Sequence, residues 1–304
     1  MRHAAKLIAL VLAGSAAACG CFPDWAGRRP DGGRGPDAPL SELPRPEHDG
    51  DRLWLGRLPG LKLAAFGDSR PEEPGGPYPT ALVAGIFAGA GAPDADDGPP
   101  DLLLFLGDTM YVAPSRYAPA RAQLREFLTA RAAFPGPAYF AVGNHEGWGE
   151  NLQAFRDAVQ PAIYFELDAD TDAGEAKIVV VADNPFEARQ EAWLRAALAR
   201  PTAITIVARH YPMINAEYRN AEIAAIIAAA SPDLVLSGHT HGYRHPALRQ
   251  VVSGTGGAPR SLPDDFFGWA RVSLGARGGF HVRVHRADRA DRTEGPLADA
   301  FEIP

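Results

Sequence analysis

Five short apolar runs in this chain each give way, within a few residues, to a side chain able to bind a metal ion. The runs at 61–66, 102–106, 138–142, 204–208 and 234–236 lead into Asp68, Asp108, Asn144, His210 and the pair His239 and His241. Such runs, bounded by Gly or Pro, read as buried strands. Between and around them, 80–90, 119–133, 150–159, 187–199 and 221–230 carry helical spacing. Strands alternating with helices predict an α/β chain (α+β in some schemes), with mixed β-sheets sandwiched by helices. The carboxyl ends of strands line the functional crevice of such sheets. Residues far apart in the chain are therefore expected at one rim. Further strands are expected at 163–167 and 177–182, paired across the 168–174 turn, and at 250–253, 269–274 and 280–285.

Taken singly, each of these residues has an ordinary explanation. Gly-Asp after a strand is commonly a turn or a helix cap. Gly143-Asn144-His145 can be a plain turn, and His210, close to Pro212, a loop histidine. Alternate side chains of an extended or tightly turned segment point the same way, so His239 and His241 can converge, yet two solvated histidines would read alike. None of these causes places every such residue at a strand end, and the joint pattern points to metal. Two aspartates, an asparagine and three histidines exceed the four protein ligands of an ordinary zinc site. They suit two ions sharing a carboxylate, ~3.5–4 Å apart.

The ordered series Gly67-Asp68, Gly107-Asp108-x-x-Tyr111, Gly143-Asn144-His145-Glu146, Val207-x-x-His210 and Gly238-His239-x-His241 resembles the signature of calcineurin-like metallophosphoesterases. It is most similar to their purple acid phosphatase branch. Gln190-x-x-Trp193-Leu194 and Gly254-Thr255-Gly256-Gly257 also resemble family features. The resemblance implies that Asp68, Asp108, Tyr111 and His241 hold a first ion, and Asp108, Asn144, His210 and His239 a second. Most relatives carry a histidine where this chain has Arg70, and arginine, always protonated, cannot ligate. The branch lacking that histidine has a tyrosine in the position of Tyr111. A phenolate there implies Fe(III) in the first site, with Zn, Mn or Fe(II) in the second.

His145 follows a ligand position and is expected to be catalytic, protonating the leaving alkoxide or stabilising charge on the phosphoryl group. Glu146 would orient the His145 ring or cap the turn. Arg70 is expected to bind substrate phosphate in a bidentate way, or else to pair with Glu72 or Glu73. Purple acid phosphatases usually carry a further histidine beyond the one matching His210. This chain reads Glu217-Tyr218-Arg219-Asn220 there, so Arg219 or Tyr218 would take over in substrate binding. The implied activity is hydrolysis of phosphate esters, foremost monoesters in the manner of an acid phosphatase. One alternative is a phosphodiesterase on cyclic nucleotides or other diesters, with specificity set by the loops 71–79, 111–119 and 146–151. An alternative of another class is a non-catalytic metal-binding surface protein.

The rest of the sequence frames that reading. Apolar residues make up 46% and charged residues 22% of the 304, an ordinary globular composition. A net charge of −7 argues against nucleic acid as the main partner and is compatible with a small phosphate ester held by metal. Residues 1–18 read as an export signal: Arg2, His3 and Lys6, a short apolar stretch, then Ala16-Ala17-Ala18 before Cys19. The only cysteines, Cys19 and Cys21, lie at that junction, so the folded body has no disulfide. Cys19 is placed as in a lipoprotein signal, giving a periplasmic protein, a lipid-anchored one or a secreted one. Residues 19–60, rich in Pro and Gly, are expected to be a linker in which Leu53-Trp54-Leu55 is the one part that docks, 61–290 the catalytic domain and 291–304 a tail. Oligomeric state has no sequence signal.

Overall fold

The computed structural model describes residues 43–94, 97–215, 217, 219–287 and 297–304. Thirteen strands and five helices follow one another as β1 (Arg52–Arg57), β2 (Lys62–Phe66), α1 (Thr80–Gly91), β3 (Leu102–Phe105), α2 (Tyr117–Arg131), β4 (Ala138–Phe140), α3 (Glu150–Ala158), β5 (Phe165–Thr171), β6 (Gly174–Val180), α4 (Ala188–Ala199), β7 (Ile204–Ala208), α5 (Asn220–Ala230), β8 (Leu234–Ser237), β9 (Tyr243–Ala247), β10 (Gln250–Ser253), β11 (Gly268–Leu274), β12 (Phe280–Arg286) and β13 (Leu297–Ile303). They form a seven-stranded sheet, β1-β5-β6-β7-β8-β10-β9, and a six-stranded sheet, β13-β12-β11-β2-β3-β4. In the first, β6, β7, β8 and β10 run parallel. In the second, β2, β3 and β4 run parallel and β11 to β13 antiparallel. The mixed α/β architecture read from the sequence is the architecture found.

Side-chain alternation explains why the sheets stack. Leu63, Ala65, Leu102 and Leu104 of one sheet share a core with Ile178, Val180, Ile206, Leu234 and Leu236 of the other. The alternate residues face outward. Ala64, Phe66, Leu103, Phe105 and Phe140 pack under α1, α2 and α3, with Phe87, Phe127 and Phe155. Val179, Val207 and Val235 pack under α4 and α5, with Leu194, Ile223 and Ile227. The order is helices, sheet, sheet, helices. Strands buried on both faces read as continuous apolar runs because neither face meets water. Each buried Leu, Ile, Val or Phe contributes about 1.5–3 kcal/mol.

Two expectations are corrected. The described end of the 19–60 segment is no linker: β1 pairs in parallel with β5, and Leu43, Leu55 and Leu58 lie in the inter-sheet core. Residues 297–303 of the expected tail form β13, paired along β12. The hairpin foreseen at 163–182 exists, with a turn tighter than 168–174, because β5 and β6 pair out to Thr171 and Gly174. The signal segment and Cys19 lie outside the described residues. Among those described, no helix is long and apolar enough to cross a membrane.

Candidate metal centre

The two sheets bring their parallel strand ends to one place. Asp68, Asp108 and Asn144 follow β2, β3 and β4, and His210, His239 and His241 follow β7 and β8. Asp68, Asp108 and His210 each present one potential ligand atom, and all three atoms lie within 4.8 Å of one another. Asn144 Oδ1 is 3.0 Å from His210 Nε2, and His239 Nδ1 is 3.2 Å from the same nitrogen. His241 Nε2 lies 3.7 Å from Asp68 Oδ1. The loops are tied together through their backbones as well. The Asp68 N–H donates to the Gly107 carbonyl at 2.8 Å, and the Ser69 N–H to the Asp108 carbonyl at 3.0 Å.

Four of these residues turn the chain in the left-handed region: φ is 63° at Asp68, 60° at Asp108, 71° at His239 and 48° at His241. Asp and His tolerate that conformation better than most residues, yet it costs on the order of 1–3 kcal/mol each. Such strain is typical of sites held by their surroundings. Glycine is required where the loops close on the carboxylates. A Cβ on Gly143 would lie 2.2 Å from Asp108 Oδ1, and one on Gly238 2.6 Å from Asp68 Oδ2.

The electrostatics fit a cation. Burial, with repulsion from Asp108, holds the Asp68 carboxyl well above the ordinary carboxylate range. Burial pushes Asp108 up to about 7. Asp68 Oδ1 is buried and has no hydrogen-bond partner among the described residues. Burial lowers His239 and His241 to about 4 and lowers His210 as well, so the imidazoles are neutral and keep the lone pair that a metal takes. Crowded carboxyl groups and neutral imidazoles, with one carboxylate oxygen unpartnered, are a donor set that a divalent or trivalent ion would satisfy.

Second neighbours fix these groups. His210 Nδ1 faces the Leu106 carbonyl at 2.8 Å, leaving Nε2 for the centre. Glu146 does not orient the His145 ring. Its carboxylate instead accepts the N–H groups of Asp108, Thr109 and Gly143 and the Thr109 hydroxyl, at 2.6–3.0 Å. Asp183, at the end of β6, was not singled out in the sequence. Its Oδ2 accepts the N–H groups of His210 at 2.9 Å and Tyr211 at 2.7 Å. Its other oxygen pairs with Arg209, itself fully buried and bonded to Asn220. A strand end followed by a carboxylate, the pattern that flagged Asp68 and Asp108, also fits Asp183.

The remaining site residues fall in different places. His145 Nε2 is 3.6 Å from Asp108 Oδ2, its Nδ1 has no partner among the described residues, and its ring is wedged between Tyr111 and Trp148, centroids 4.4 and 4.7 Å away. Burial, with Arg70 nearby, lowers its pKa to about 2. Arg70 turns inward rather than to Glu72 or Glu73: its Nε is 3.6 Å from Asp108 Oδ2 and its Cζ 4.3 Å over the Tyr111 ring. Tyr111 thus borders the centre through its ring. Arg219 is held by neighbouring protein groups. Its guanidinium bonds Glu222 at 2.5–2.7 Å and the Phe186 carbonyl at 2.7 Å, and lies 3.4 Å from Glu191. These contacts tie it to α4 and α5.

The sequence model for the calcineurin-like phosphoesterase family matches residues 63–243. No curated protein sequence matches at a significant level. Among solved structures the fold is similar to GAP50, the anchor in the inner membrane complex of Plasmodium, with 11% identity over 81% of this chain and 89% of that one, at a TM-score of 0.57. It is similar also to a dimetal phosphatase from Danio rerio, 10% identical over 81% of this chain and 99% of that one, at 0.55. Purple acid phosphatase PPD1 from seeds of yellow lupin (Lupinus luteus) is 15% identical over 86% of this chain, at 0.57, and this chain spans 55% of its length. At these identities the likeness is one of fold.

Proposed function

Because this chain belongs to the calcineurin-like phosphoesterase family, we propose that it is an exported phosphomonoesterase of the purple acid phosphatase kind. The observation that carries this is the meeting of Asp68, Asp108 and His210 from two different sheets within 4.8 Å. Asp68, Asp108, Tyr111 and His241 would hold the first ion, Fe(III). Asp108, Asn144, His210 and His239 would hold the second, Zn, Mn or Fe(II). When bound, the ions neutralise phosphate oxygens and lower the pKa of water.

The side chains divide the remaining work. Arg70 reaches the phosphate oxygens with two parallel N–H groups. His145, kept neutral by burial and by Arg70, directs an N–H at the transferring phosphoryl group. The negative charge of an arriving ester raises its affinity for the proton that the leaving alkoxide needs. Tyr111 and Trp148 keep its ring in one orientation and exclude water from it. The signal-like residues 1–18 support export, with Cys19 lipidated or simply released.

A non-catalytic role is the rival reading, since the fold also occurs in a protein described as an anchor. Catalysis is favoured because every proposed ligand position and His145 are filled together. Metal analysis with a visible spectrum, alongside p-nitrophenyl phosphate and its bis ester, separates the readings. A tyrosinate-to-iron band with monoester turnover supports the proposal. Colourless Zn or Mn protein removes the purple-phosphatase part, preference for the bis ester the monoester part, and bound metal without any turnover leaves the anchor. Mass spectrometry of the mature N-terminus tests export and lipidation.

A further inference from the structure

Arg70 lies among the very groups assigned above to the first ion. Besides the Asp108 and Tyr111 contacts, its Nη2 is 3.2 Å from His241 Nε2. His241 Nδ1 faces the Pro259 carbonyl at 2.9 Å, so Nδ1 carries the proton and Nε2 presents its lone pair. Arg70 therefore donates to the lone pair that a cation would use. The side chain is only 14% exposed, tucked into the centre with Nη1 on the Pro71 carbonyl at 3.2 Å. Its Nε has no hydrogen-bond partner among the described residues, so the guanidinium is placed by charge as much as by directed bonds. Arginine keeps its charge at all working pH values. An ion between Asp108 and His241 would share one lone pair and one carboxylate with a fixed positive charge a few ångströms away, where the interaction is weakly screened.

The geometry points to direct competition between the Arg70 guanidinium and the first cation for Asp108 and His241. Filling the first position requires Arg70 to swing out, and the position on the His210 side does not. The two sites thus differ in affinity through one side chain that is not a ligand of either. The inference rests on the two-ion reading proposed above. It also gives the arginine two destinations, the ligand cluster or the phosphate of a bound ester, and its planar fork suits the second.

The test is a competition titration of the full chain with Zn2+ or Mn2+ against a chromophoric chelator, in the wild type and in Arg70→Met and Arg70→Lys. Two equivalents of unequal affinity are expected in the wild type. In Arg70→Met the weaker equivalent tightens about tenfold or more and the tighter one by much less, because the lost charge lies nearer the first position. Arg70→Lys, which keeps the charge, stays within a few-fold of the wild type. One equivalent in the wild type and two in Arg70→Met is the same competition at its limit. Two equivalents with unchanged or weakened affinity in Arg70→Met overturn the inference and leave the two-ion reading standing. A single equivalent in all three chains overturns both. Arg70→Gln gives the same reading if the Met variant does not fold.

Discussion

Glu146 holds Asp108 by the backbone: its Oε2 accepts the Asp108 N–H at 3.0 Å and the Gly143 N–H at 2.8 Å, while Oε1 takes both donors of Thr109. The carboxylate thereby pins the left-handed turn that aims Asp108 into the centre. Glu146→Gln replaces one accepting oxygen with an NH2 group facing donors. It is expected to cost about 1–3 kcal/mol, the cost of unsatisfied buried groups. Cation affinity is expected to fall more than catalytic substitutions elsewhere would make it fall. Urea unfolding of the chelator-treated protein and a metal titration check the two effects separately.

Asp183 does for His210 what Glu146 does for Asp108. Asp183→Ala leaves the Arg209 charge buried without its partner and frees the His210 N–H. A destabilisation of about 3–5 kcal/mol is expected. Pairing Asp183→Leu with Arg209→Met is expected to recover most of that stability without restoring cation affinity, because the His210 backbone bond stays lost. Full recovery of both would contradict the positioning role.

The assigned roles of Asp108 and His145 predict opposite dissociations between metal content and turnover. Asp108→Ala is expected to lose bound metal and activity together. His145→Ala is expected to retain the metal and to lower kcat by about 10²–10⁴-fold, the usual contribution of a proton-transferring group. Elemental analysis of the variant proteins beside their kinetics decides; metal loss in His145→Ala would refute its assignment.

Acid should weaken cation binding through the carboxyls before the histidines. Asp108 is raised to about 7, and His239 and His241 are lowered to about 4. At pH 6 the two imidazoles are already neutral while Asp108 still carries its proton, so binding must release about one proton or more. At pH 8 the share of that release due to Asp108 is expected to vanish. In chelator-stripped protein the sign is reversed for this group. A carboxyl whose folded value lies above its ordinary 3.8 makes the fold less stable as pH rises from there to about 7. The histidines, below their ordinary 6.5, make it less stable as pH falls from 6.5 toward 4. Titration calorimetry in buffers of different ionisation enthalpy measures the protons released.

The parts of the fold that were legible in the sequence are the parts buried on both sides. β2, β3, β7 and β8 are continuous apolar runs, and their ends carry the chemistry. The strands that escaped, β1, β9 and β13, all lie at sheet edges. Edge strands carry polar side chains and proline toward water: β9 reads Tyr243-Arg244-His245-Pro246-Ala247 and is mostly exposed, and β13 buries only Ile303. Within the centre, the aspartates and histidines announce themselves by residue type and spacing. The inward turn of Arg70 and the engagement of Arg219 by Glu222 do not, because both are settled by three-dimensional neighbours. Asp183 was within reach of the same strand-end reasoning, but no named motif pointed at it.

Asp68, Asp108 and Asn144 belong to one layer of the sandwich, and His210, His239 and His241 to the other. A chain in which a single layer has formed owns half a cage. An ion seated there is a rivet through the seam, and its retention is a certificate that both halves have closed.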